Sequence, residues 1–269
     1  MAISNKVIFI AGGSTGIGLS IAVEFSKNNN TLVLLARDIR KLEAAKTQVE
    51  KSGNSKCLIY AADAKDYNSL KPVLDTTVKE AGAPDLVINC VGRAYPDHFE
   101  NISAAIMQDT MQTNFGSMWN VAHILLPYMK AKGGKIVNTS SVGGFVGVFG
   151  YADYSASKFA VIGFSEVLKQ ELSRYNIKVQ VLCPPDTETP GFETENKTKP
   201  EETKEISKTA KLLQPEEVAR QEVKGIEGDS FMIIPGGDGK LTYWMKRHFP
   251  FIVNMIMDGA IKKVQKGKK

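Results

Sequence analysis

The chain has 269 residues, of which 43% are hydrophobic and 23% are charged. These fractions are those of an ordinary soluble globular protein, and the length is enough for one large α/β domain or two smaller ones. No apolar stretch approaches the roughly 20 residues of a membrane-spanning helix. The apolar run Val7–Ala11 is too short for a secretory signal, so we expect neither feature.

Charge is distributed unevenly along the chain. Residues 240–269 contain eight basic residues and one acid, whereas the preceding chain contains 26 basic and 28 acidic residues. The same tail carries the apolar and aromatic sequence YWMKRHFPFIVNMIM. This composition is typical of a peripheral membrane contact, and equally of a packed C-terminal helix with a solvated lysine end. The body lacks a basic face and a nucleic-acid-binding motif, so no nucleic-acid partner is expected.

Three cysteines, Cys57, Cys90 and Cys183, lie in apolar or strand-like sequence. Their spacing is not that of metal ligands, and we expect no metal site. Reduced thiols in a reducing compartment are predicted.

Short β-branched runs alternate with helical patterns along the chain. Strands are predicted at 6–11, 31–36, 56–62, 85–91, 134–140, 177–183 and 230–234. Helices are predicted at 17–28, 38–52, 66–81, 103–131, 153–174 and 215–226. Strands that are apolar throughout and alternate with helices indicate an α/β fold, a single doubly wound (Rossmann-type) domain with a mostly parallel seven-stranded sheet. We assign residues 1–239 to this domain and 240–269 to a basic amphipathic extension. Ligands are expected at the carboxyl ends of the strands.

A glycine-rich turn, AGGSTGIG, follows the first strand. Glycines let the backbone turn sharply and approach a pyrophosphate, and the next helix offers its positive N-terminus. The predicted cofactor contacts here are Gly12, Ser14, Thr15, Gly16, Ile17 and Gly18.

Arg37 follows the second strand, at the position where an NAD site usually carries an acid. The guanidinium suits a 2′-phosphate, and Lys41 adds a second positive charge one helical turn later. The alternative for both residues is a solvated helix start. Asp38 has the position of an N-cap. The pattern favours NADP over NAD.

Two further strand ends carry candidate cofactor contacts. Asp63 and Ala64 follow the third strand, where a carboxylate can accept from an adenine amino group. Asn89 and Gly92 belong to NCVG at the end of the fourth strand, another flexible turn at the same edge.

Tyr154 and Lys158 are four residues apart and therefore share one face of a helix. Ser141 ends the fifth strand, thirteen residues before the tyrosine. An isolated pair of this kind is common by chance, as a half-buried aromatic beside a surface lysine. Together with the glycine-rich turn and Arg37, the combination is specific.

With these motifs the sequence resembles the classical short-chain dehydrogenase/reductase family over about residues 5–235. Ala11 replaces the usual Thr, and NCVG replaces the usual Asn-Asn-Ala-Gly. The resemblance implies reduction of a ketone, and the alkoxide that forms needs a proton and pre-placed donors. It implies that Tyr154 donates this proton and that Ser141 orients the carbonyl. Lys158 would lower the pKa of Tyr154 and hold the nicotinamide ribose. Asn114, in QTNFGS, resembles the asparagine that holds a water beside Lys158, although the alternative is an ordinary helix-surface amide.

The segment VLCPPDTETPGFETENKTKP follows the sixth strand. By resemblance, Pro184, Thr187 (backbone) and Thr189 (hydroxyl) hold the nicotinamide, and residues from about 186 to 212 form a mobile substrate lid. Pro185 stands where the family has glycine.

The same segment closely resembles members of the family that reduce 3-ketodihydrosphingosine with NADPH at the cytosolic face of the endoplasmic reticulum. This implies NADPH/NADP as the cofactor, a lipid-like ketone substrate and peripheral attachment through the C-terminal tail. In a cell without that organelle, a cytoplasmic location is expected. Family members imply a homodimer or homotetramer. The alternatives are another hydrophobic ketone, such as a steroid or fatty acyl compound, or a catalytically silent NADP-binding partner protein.

Overall fold

The computed structural model describes residues 3–208 and 210–267. The predicted domain, lid and tail also include residues 1, 2, 209, 268 and 269, which lie outside the described residues. The strands are β1 (Val7–Ala11), β2 (Thr31–Ala36), β3 (Lys56–Ala61), β4 (Leu86–Asn89), β5 (Gly134–Thr139), β6 (Ile177–Leu182) and β7 (Met232–Ile233). They form one sheet in the order β3-β2-β1-β4-β5-β6-β7, and every neighbouring pair is parallel. The predicted doubly wound α/β class is confirmed.

Helices cover both faces of this sheet. They are α1 (Gly16–Ser26), α2 (Ile39–Ser52), α3 (Tyr67–Ala81), α4 (Ala104–Met111), α5 (Ser117–Met129), α6 (Ala152–Leu172), α7 (Pro190–Asn196), α8 (Glu201–Ser207), α9 (Pro215–Glu227), α10 (Gly237–His248) and α11 (Pro250–Gly267). Phe25 of α1 is fully buried in the core on one face, and Leu125 of α5 lies in the core on the other. Because both faces are buried, the strands are apolar at nearly every position.

Aspartates fix where two of the predicted helices begin. The side chain of Asp38 accepts hydrogen bonds from the backbone N–H groups of Arg40 and Lys41 at the start of α2. Asp66 caps α3 in the same way. The predicted N-cap role of Asp38 is therefore confirmed, and its carboxylate is engaged by the helix.

The strand order reverses between β1 and β4, so the loops that follow these strands diverge and leave a crevice between them. The two strand ends are joined where the backbone N–H of Cys90 donates to the carbonyl oxygen of Ala11 at 2.8 Å. This switch point brings the glycine-rich turn beside the NCVG turn.

The helix predicted at 103–131 is interrupted. A π-helical turn over Gln112–Gly116 separates α4 from α5. Such turns occur mostly as single insertions within α-helices, often at functional sites. Here the extra residue turns the side chain of Asn114 into the protein, where it is fully buried. Helical periodicity alone did not predict this insertion.

The C-terminal part contains four helices beyond those predicted: α7, α8, α10 and α11. The ring of Tyr243 on α10 packs 5.1 Å from that of Phe145, and Lys263 on α11 pairs with Glu205 on α8 at 2.5 Å. The tail is therefore packed on the domain. Within the described ranges, no helix is both long and apolar enough to cross a bilayer. The three cysteines are free thiols, as expected.

Candidate active site

The glycine-rich turn lies at the carboxyl end of β1 and leads directly into α1. Gly12 has φ +82°, and a Cβ there would lie 2.8 Å from the backbone carbon of Cys90. Only glycine combines this conformation with such a close approach. Gly16 opens α1 and faces the segment after β6, since a Cβ there would lie 3.3 Å from Cγ2 of Thr189.

The N-terminus of α1 is left open by its own side chains. Thr15 occupies the N-cap position but makes no side-chain capping hydrogen bond. The first-turn N–H groups of a helix lack intrahelical acceptors, and with the helix dipole they form an anion site. Ser14, Thr15 and Ile17 are all at least partly exposed there. This turn therefore fits the pyrophosphate of a dinucleotide.

Arg37 and Lys41 are both exposed beside this turn. Within the described part of the chain, neither side chain forms an ion pair. The neighbouring Asp38 caps α2 and makes a 3.8 Å contact with Arg40. Two uncommitted cations next to β2 form a suitable environment for a phosphate. This arrangement fits NADP better than NAD.

Asp63 and Ala64 end the next strand along the same edge. The Asp63 carboxylate accepts from the backbone N–H of Lys65 at 3.0 Å. The carbonyl oxygen of the buried Ala64 accepts from Nδ2 of Asn120 at 3.0 Å. These contacts fix the loop as it leaves β3.

The side chain of Asn89 points into the sheet interior. Its Nδ2 donates to Oδ1 of Asn138 at 2.9 Å, and Asn138 donates in turn to Ser165 at 2.9 Å. Asn89 Oδ1 has no hydrogen-bond partner among the described residues. The predicted contribution of Asn89 to a cofactor site is therefore left to its backbone and to the turn that ends at Gly92.

Ser141, Tyr154 and Lys158 converge at the end of β5. The Ser141 hydroxyl caps a short 3₁₀ turn by accepting from the N–H of Gly143 at 3.1 Å. A Cβ on Gly143 would lie 3.3 Å from Cε1 of Tyr154 and 3.7 Å from Oγ of Ser141, so both side chains border the same backbone. Lys158 Nζ lies 5.7 Å from the centre of the Tyr154 ring. The sequence placed these groups on one strand end and one helix face, and the structure brings them together.

Burial is the largest influence on the pKa values of Tyr154 and Lys158. It raises the pKa of Tyr154 above its usual value, and the Ser141 hydroxyl opposes that rise. Burial also lowers the pKa of Lys158 to about 8. In the protein by itself, burial outweighs the lowering of the Tyr154 pKa that the resemblance implies for Lys158. Losing water destabilises the phenolate, and Lys158 Nζ is directed to the carbonyl oxygen of Thr139 at 3.0 Å.

Asn114 lies directly behind Lys158. Its Oδ1 accepts from the N–H of Arg93 at 2.8 Å, and its Nδ2 donates to the carbonyl of Arg93 at 3.0 Å and to Oγ of Ser157 at 2.9 Å. A Cβ on Gly92 would lie 3.2 Å from Lys158 Nζ and 3.5 Å from Asn114 Oδ1. The helix-surface alternative for Asn114 is therefore wrong.

The segment after β6 lies beside Ser141. The carbonyl of Pro184 accepts from the N–H of Val142 at 3.2 Å. The Thr187 hydroxyl donates to the carbonyl of Pro185 at 2.8 Å. The Thr189 hydroxyl accepts from the N–H of Phe192 at 3.1 Å and so caps α7. Pro184, Thr187 and Thr189 thus line the edge where the resemblance placed a nicotinamide.

Sequence reasoning missed a group of buried and half-buried polar residues next to Tyr154. Tyr151 packs 5.4 Å from Tyr154, ring centre to ring centre, and its hydroxyl donates to Glu195. Glu195 pairs with Lys199 at 3.1 Å. Asp186 shares the field of Lys199. Polar loop composition alone gives no indication that these residues are buried at the site.

The fold and this edge of the sheet define a nucleotide-dependent oxidoreductase of the doubly wound class. The glycine-rich turn after β1, the two cations after β2 and the Ser–Tyr–Lys group after β5 all lie at the carboxyl edge of the sheet. The chain belongs to the short chain dehydrogenase family, whose sequence profile matches residues 6–200.

Several proteins similar to this chain are named for the same reductase activity. The chain is 40% identical to 3-dehydrosphinganine reductase of Danio rerio over 244 residues, covering 89% of this chain and 74% of that protein. It is 36% identical to 3-ketodihydrosphingosine reductase of Bos taurus over 244 residues, with the same two coverages of 89% and 74%. In Dictyostelium discoideum, 3-ketodihydrosphingosine reductase is 36% identical over 250 residues, covering 86% of this chain and 75% of that protein.

Solved structures share the fold. Levodione reductase superposes with a TM-score of 0.81 at 24% identity, covering 88% of this chain and 99% of the other. L-Sorbose reductase from Gluconobacter frateurii, complexed with NADPH and L-sorbose, gives a TM-score of 0.77 at 24% identity, covering 88% and 97%.

Proposed function

We propose that the protein reduces the 3-keto group of 3-ketodihydrosphingosine to dihydrosphingosine, with NADPH as the reductant, in sphingolipid biosynthesis. The observation that carries the chemistry is the convergence of Ser141 and Tyr154 around Gly143, beside the buried Lys158. The similar proteins, 36–40% identical over 74–75% of their lengths, carry the choice of substrate.

The cofactor contacts follow the edge of the sheet. The turn from Gly12 to Gly18 would hold the pyrophosphate, and Arg37 with Lys41 the 2′-phosphate. The remaining proposed contacts are Asp63, Ala64, Asn89, Gly92, Tyr154, Lys158, Pro184, Thr187 and Thr189. When bound, NADPH supplies the hydride.

Tyr154 supplies the proton in this proposal. A raised pKa keeps the phenol protonated near neutral pH, which is the form that donates to the ketone oxygen as negative charge develops there. The Ser141 hydroxyl donates a second hydrogen bond to the same oxygen. Lys158, with a pKa lowered to about 8, keeps a substantial ammonium fraction near neutral pH and favours the phenolate that remains after transfer.

Asn114 positions Lys158 in this scheme. By holding the backbone of Arg93 and the hydroxyl of Ser157, it fixes the end of β4 against α6. Its fully buried amide lies beside the Gly92 site and the ammonium. We propose that this is where a water linking Lys158 to solvent is held.

Peripheral membrane contact is proposed for α10 and α11. These helices expose Leu241 (59%), Trp244 (50%), Phe251 (66%), Met255 (65%) and Ile256 (63%). The same region contains most of the basic excess of the chain. Apolar side chains with interspersed lysines suit an anionic membrane surface, and we place the protein at the cytosolic face of the endoplasmic reticulum.

A homodimer is proposed through the α5–α6 face. Trp119, Phe159 and Val167 there are 47%, 45% and 50% exposed. Exposed large apolar residues on adjacent helices are typical of an interface between subunits.

The deciding experiment incubates the purified protein with NADPH and 3-ketodihydrosphingosine and follows loss of nicotinamide absorbance, with dihydrosphingosine measured as product. A steroid ketone and a fatty acyl ketone serve as comparison substrates. Equal or better turnover of either comparison substrate would contradict the substrate assignment. No turnover of any ketone would contradict the enzymatic proposal.

A further inference from the structure

The proposed reaction site is bordered by one buried and two half-buried charged residues that proton transfer does not use. Asp186, Glu195 and Lys199 are close enough for their charges to act on one another. Tyr151 joins them to Tyr154 through ring contact on one side and a hydrogen bond to Glu195 on the other. We describe these four residues, Tyr151, Asp186, Glu195 and Lys199, as the lid charge group.

Lys199 forms an ion pair with Glu195. Its Nζ lies 3.1 Å from Oε1 of Glu195 and 4.5 Å from the centre of the Phe192 ring. The Lys199 side chain is only 3% exposed and that of Glu195 16%. With the Tyr151 hydroxyl as a further donor, Glu195 has two partners, so its charge is compensated within the protein.

Asp186 is the second carboxylate of the lid charge group. In the described chain, no hydrogen bond reaches its side-chain oxygens, and the charge that acts favourably on it is that of Lys199. One lysine therefore serves two carboxylates. Asp186 is half-buried, and loss of water raises the pKa of both Asp186 and Glu195. A carboxylate in this position gains from a counter-charge.

Asp186 also belongs to the segment that contacts the proposed reaction site. Two residues before it, the carbonyl of Pro184 accepts from the N–H of Val142, which directly follows Ser141. The charge of Asp186 also acts on the Tyr154 phenol, raising its pKa. The segment that carries Asp186 therefore lies against the residue that follows Ser141.

The substrate in the proposed function carries an amino group on the carbon next to the ketone. This amine is protonated near neutral pH. A site that holds the ketone oxygen must therefore accommodate a positive charge immediately beside it.

We infer that Asp186 binds this substrate ammonium and selects sphingoid ketones with a free amino group, while Glu195 is held by Lys199 and Tyr151. The inference rests on the proposed function. The substrate cation supplies the missing counter-charge of the lid charge group. Neutral ketones, including N-acylated ones, leave that charge uncompensated and bind less well.

The test compares 3-ketodihydrosphingosine with its des-amino analogue, in which hydrogen replaces the amino group. We expect the wild-type protein to favour the amino ketone in kcat/KM by about 10- to 100-fold, the range of a hydrogen bond between charged groups. In Asp186→Asn this preference should fall by about tenfold or more, mainly through a higher KM for the amino ketone. Glu193→Gln, an exposed acid on the neighbouring α7, is the matched control and should keep the preference.

The outcomes separate the inference from the function beneath it. If the wild-type protein reduces both ketones equally, the inference fails while the reductase proposal stands, and no variant is needed to see this. An unchanged preference in a folded Asp186→Asn protein also overturns it. If the wild-type protein reduces neither ketone with NADPH, the proposed function itself fails.

Discussion

Lys158 donates a hydrogen bond of 3.0 Å from its ammonium to the carbonyl oxygen of Thr139, the last residue of β5. This contact fixes the lysine against the strand end that carries Ser141 and leaves it over the Tyr154 ring rather than paired with an acid. Among the described residues it forms no salt bridge, so its charge is held in the interior by dipoles alone. The protein thus tolerates a buried cation at the site where the chemistry is proposed.

That buried cation should cost stability. Replacing it in Lys158→Met should raise the free energy of unfolding at neutral pH by up to about 3 kcal/mol, less the loss of the Thr139 hydrogen bond. The folded-state pKa is about 8 and the usual value is 10.5, so the unfolded chain binds more protons between them. The gain should therefore be full below about pH 8 and vanish as pH rises to 10.5. Urea unfolding across this range measures it, and a gain independent of pH would contradict the explanation.

Glu222 on α9 should make stability depend on pH in the opposite direction. It is completely buried, and neither carboxylate oxygen has a hydrogen-bond partner among the described residues. Burial raises its pKa from 4.5 to about 8. The folded protein therefore holds a proton that the unfolded chain releases, and stability falls as pH rises between these values.

Glu222→Gln keeps the shape of the protonated acid. The free energy of unfolding of the variant should be close to that of the wild type below pH 4.5 and should exceed it by about 1–4 kcal/mol at pH 8. Thermal unfolding of the variant and the wild type at both ends of the range is the measurement. Glu217→Gln, on the same helix but less buried, is the control.

Tyr154→Phe should lower ketone turnover by about a hundredfold to ten-thousandfold, the usual contribution of a general acid. The ring contact with Tyr151 at 5.4 Å is retained, so folding and NADPH binding should change little. Ketone turnover is followed by loss of nicotinamide absorbance, and NADPH binding is measured separately by fluorescence titration. Tyr128→Phe, which removes a hydroxyl bound to Asp75 far from the site, should leave turnover intact.

Arg37→Ala should weaken NADPH binding by about tenfold or more while changing NADH binding little, because only the former carries the 2′-phosphate. Dissociation constants for both dinucleotides are the readout. Arg40→Ala removes an equally exposed arginine whose partner is Asp38, and it should spare the preference. Equal losses for NADPH and NADH in the Arg37 variant would remove the phosphate assignment.

The membrane proposal is better tested by substitution than by truncation. Val253 and Tyr243 pack into the apolar cluster around Phe145, so deleting the tail would expose the core. Trp244→Ser with Phe251→Ser changes only exposed positions and should reduce co-sedimentation with anionic vesicles severalfold. Ile39→Ser, an exposed apolar change on α2, should have no such effect.

Much of the fold was predictable from the sequence because local pattern and tertiary structure agree there. Apolar strands, Asp38 at a helix start and the glycine-rich turn are local features, and each has its expected place in the sheet. The π-helical turn at Asn114 was not predictable. Its driving contacts, with Arg93 and Ser157, span 21 and 43 residues of sequence.

The sequence by itself determined the doubly wound sheet, the family and the convergence of Ser141, Tyr154 and Lys158. Strand ends of a parallel sheet meet at one edge, and a four-residue spacing fixes a helix face. Only the tertiary structure decided the electrostatics. It showed that burial raises the Tyr154 pKa and that Lys199 lies beside two carboxylates. Desolvation depends on everything packed around a group, and that surrounding is assembled from segments far apart in the chain.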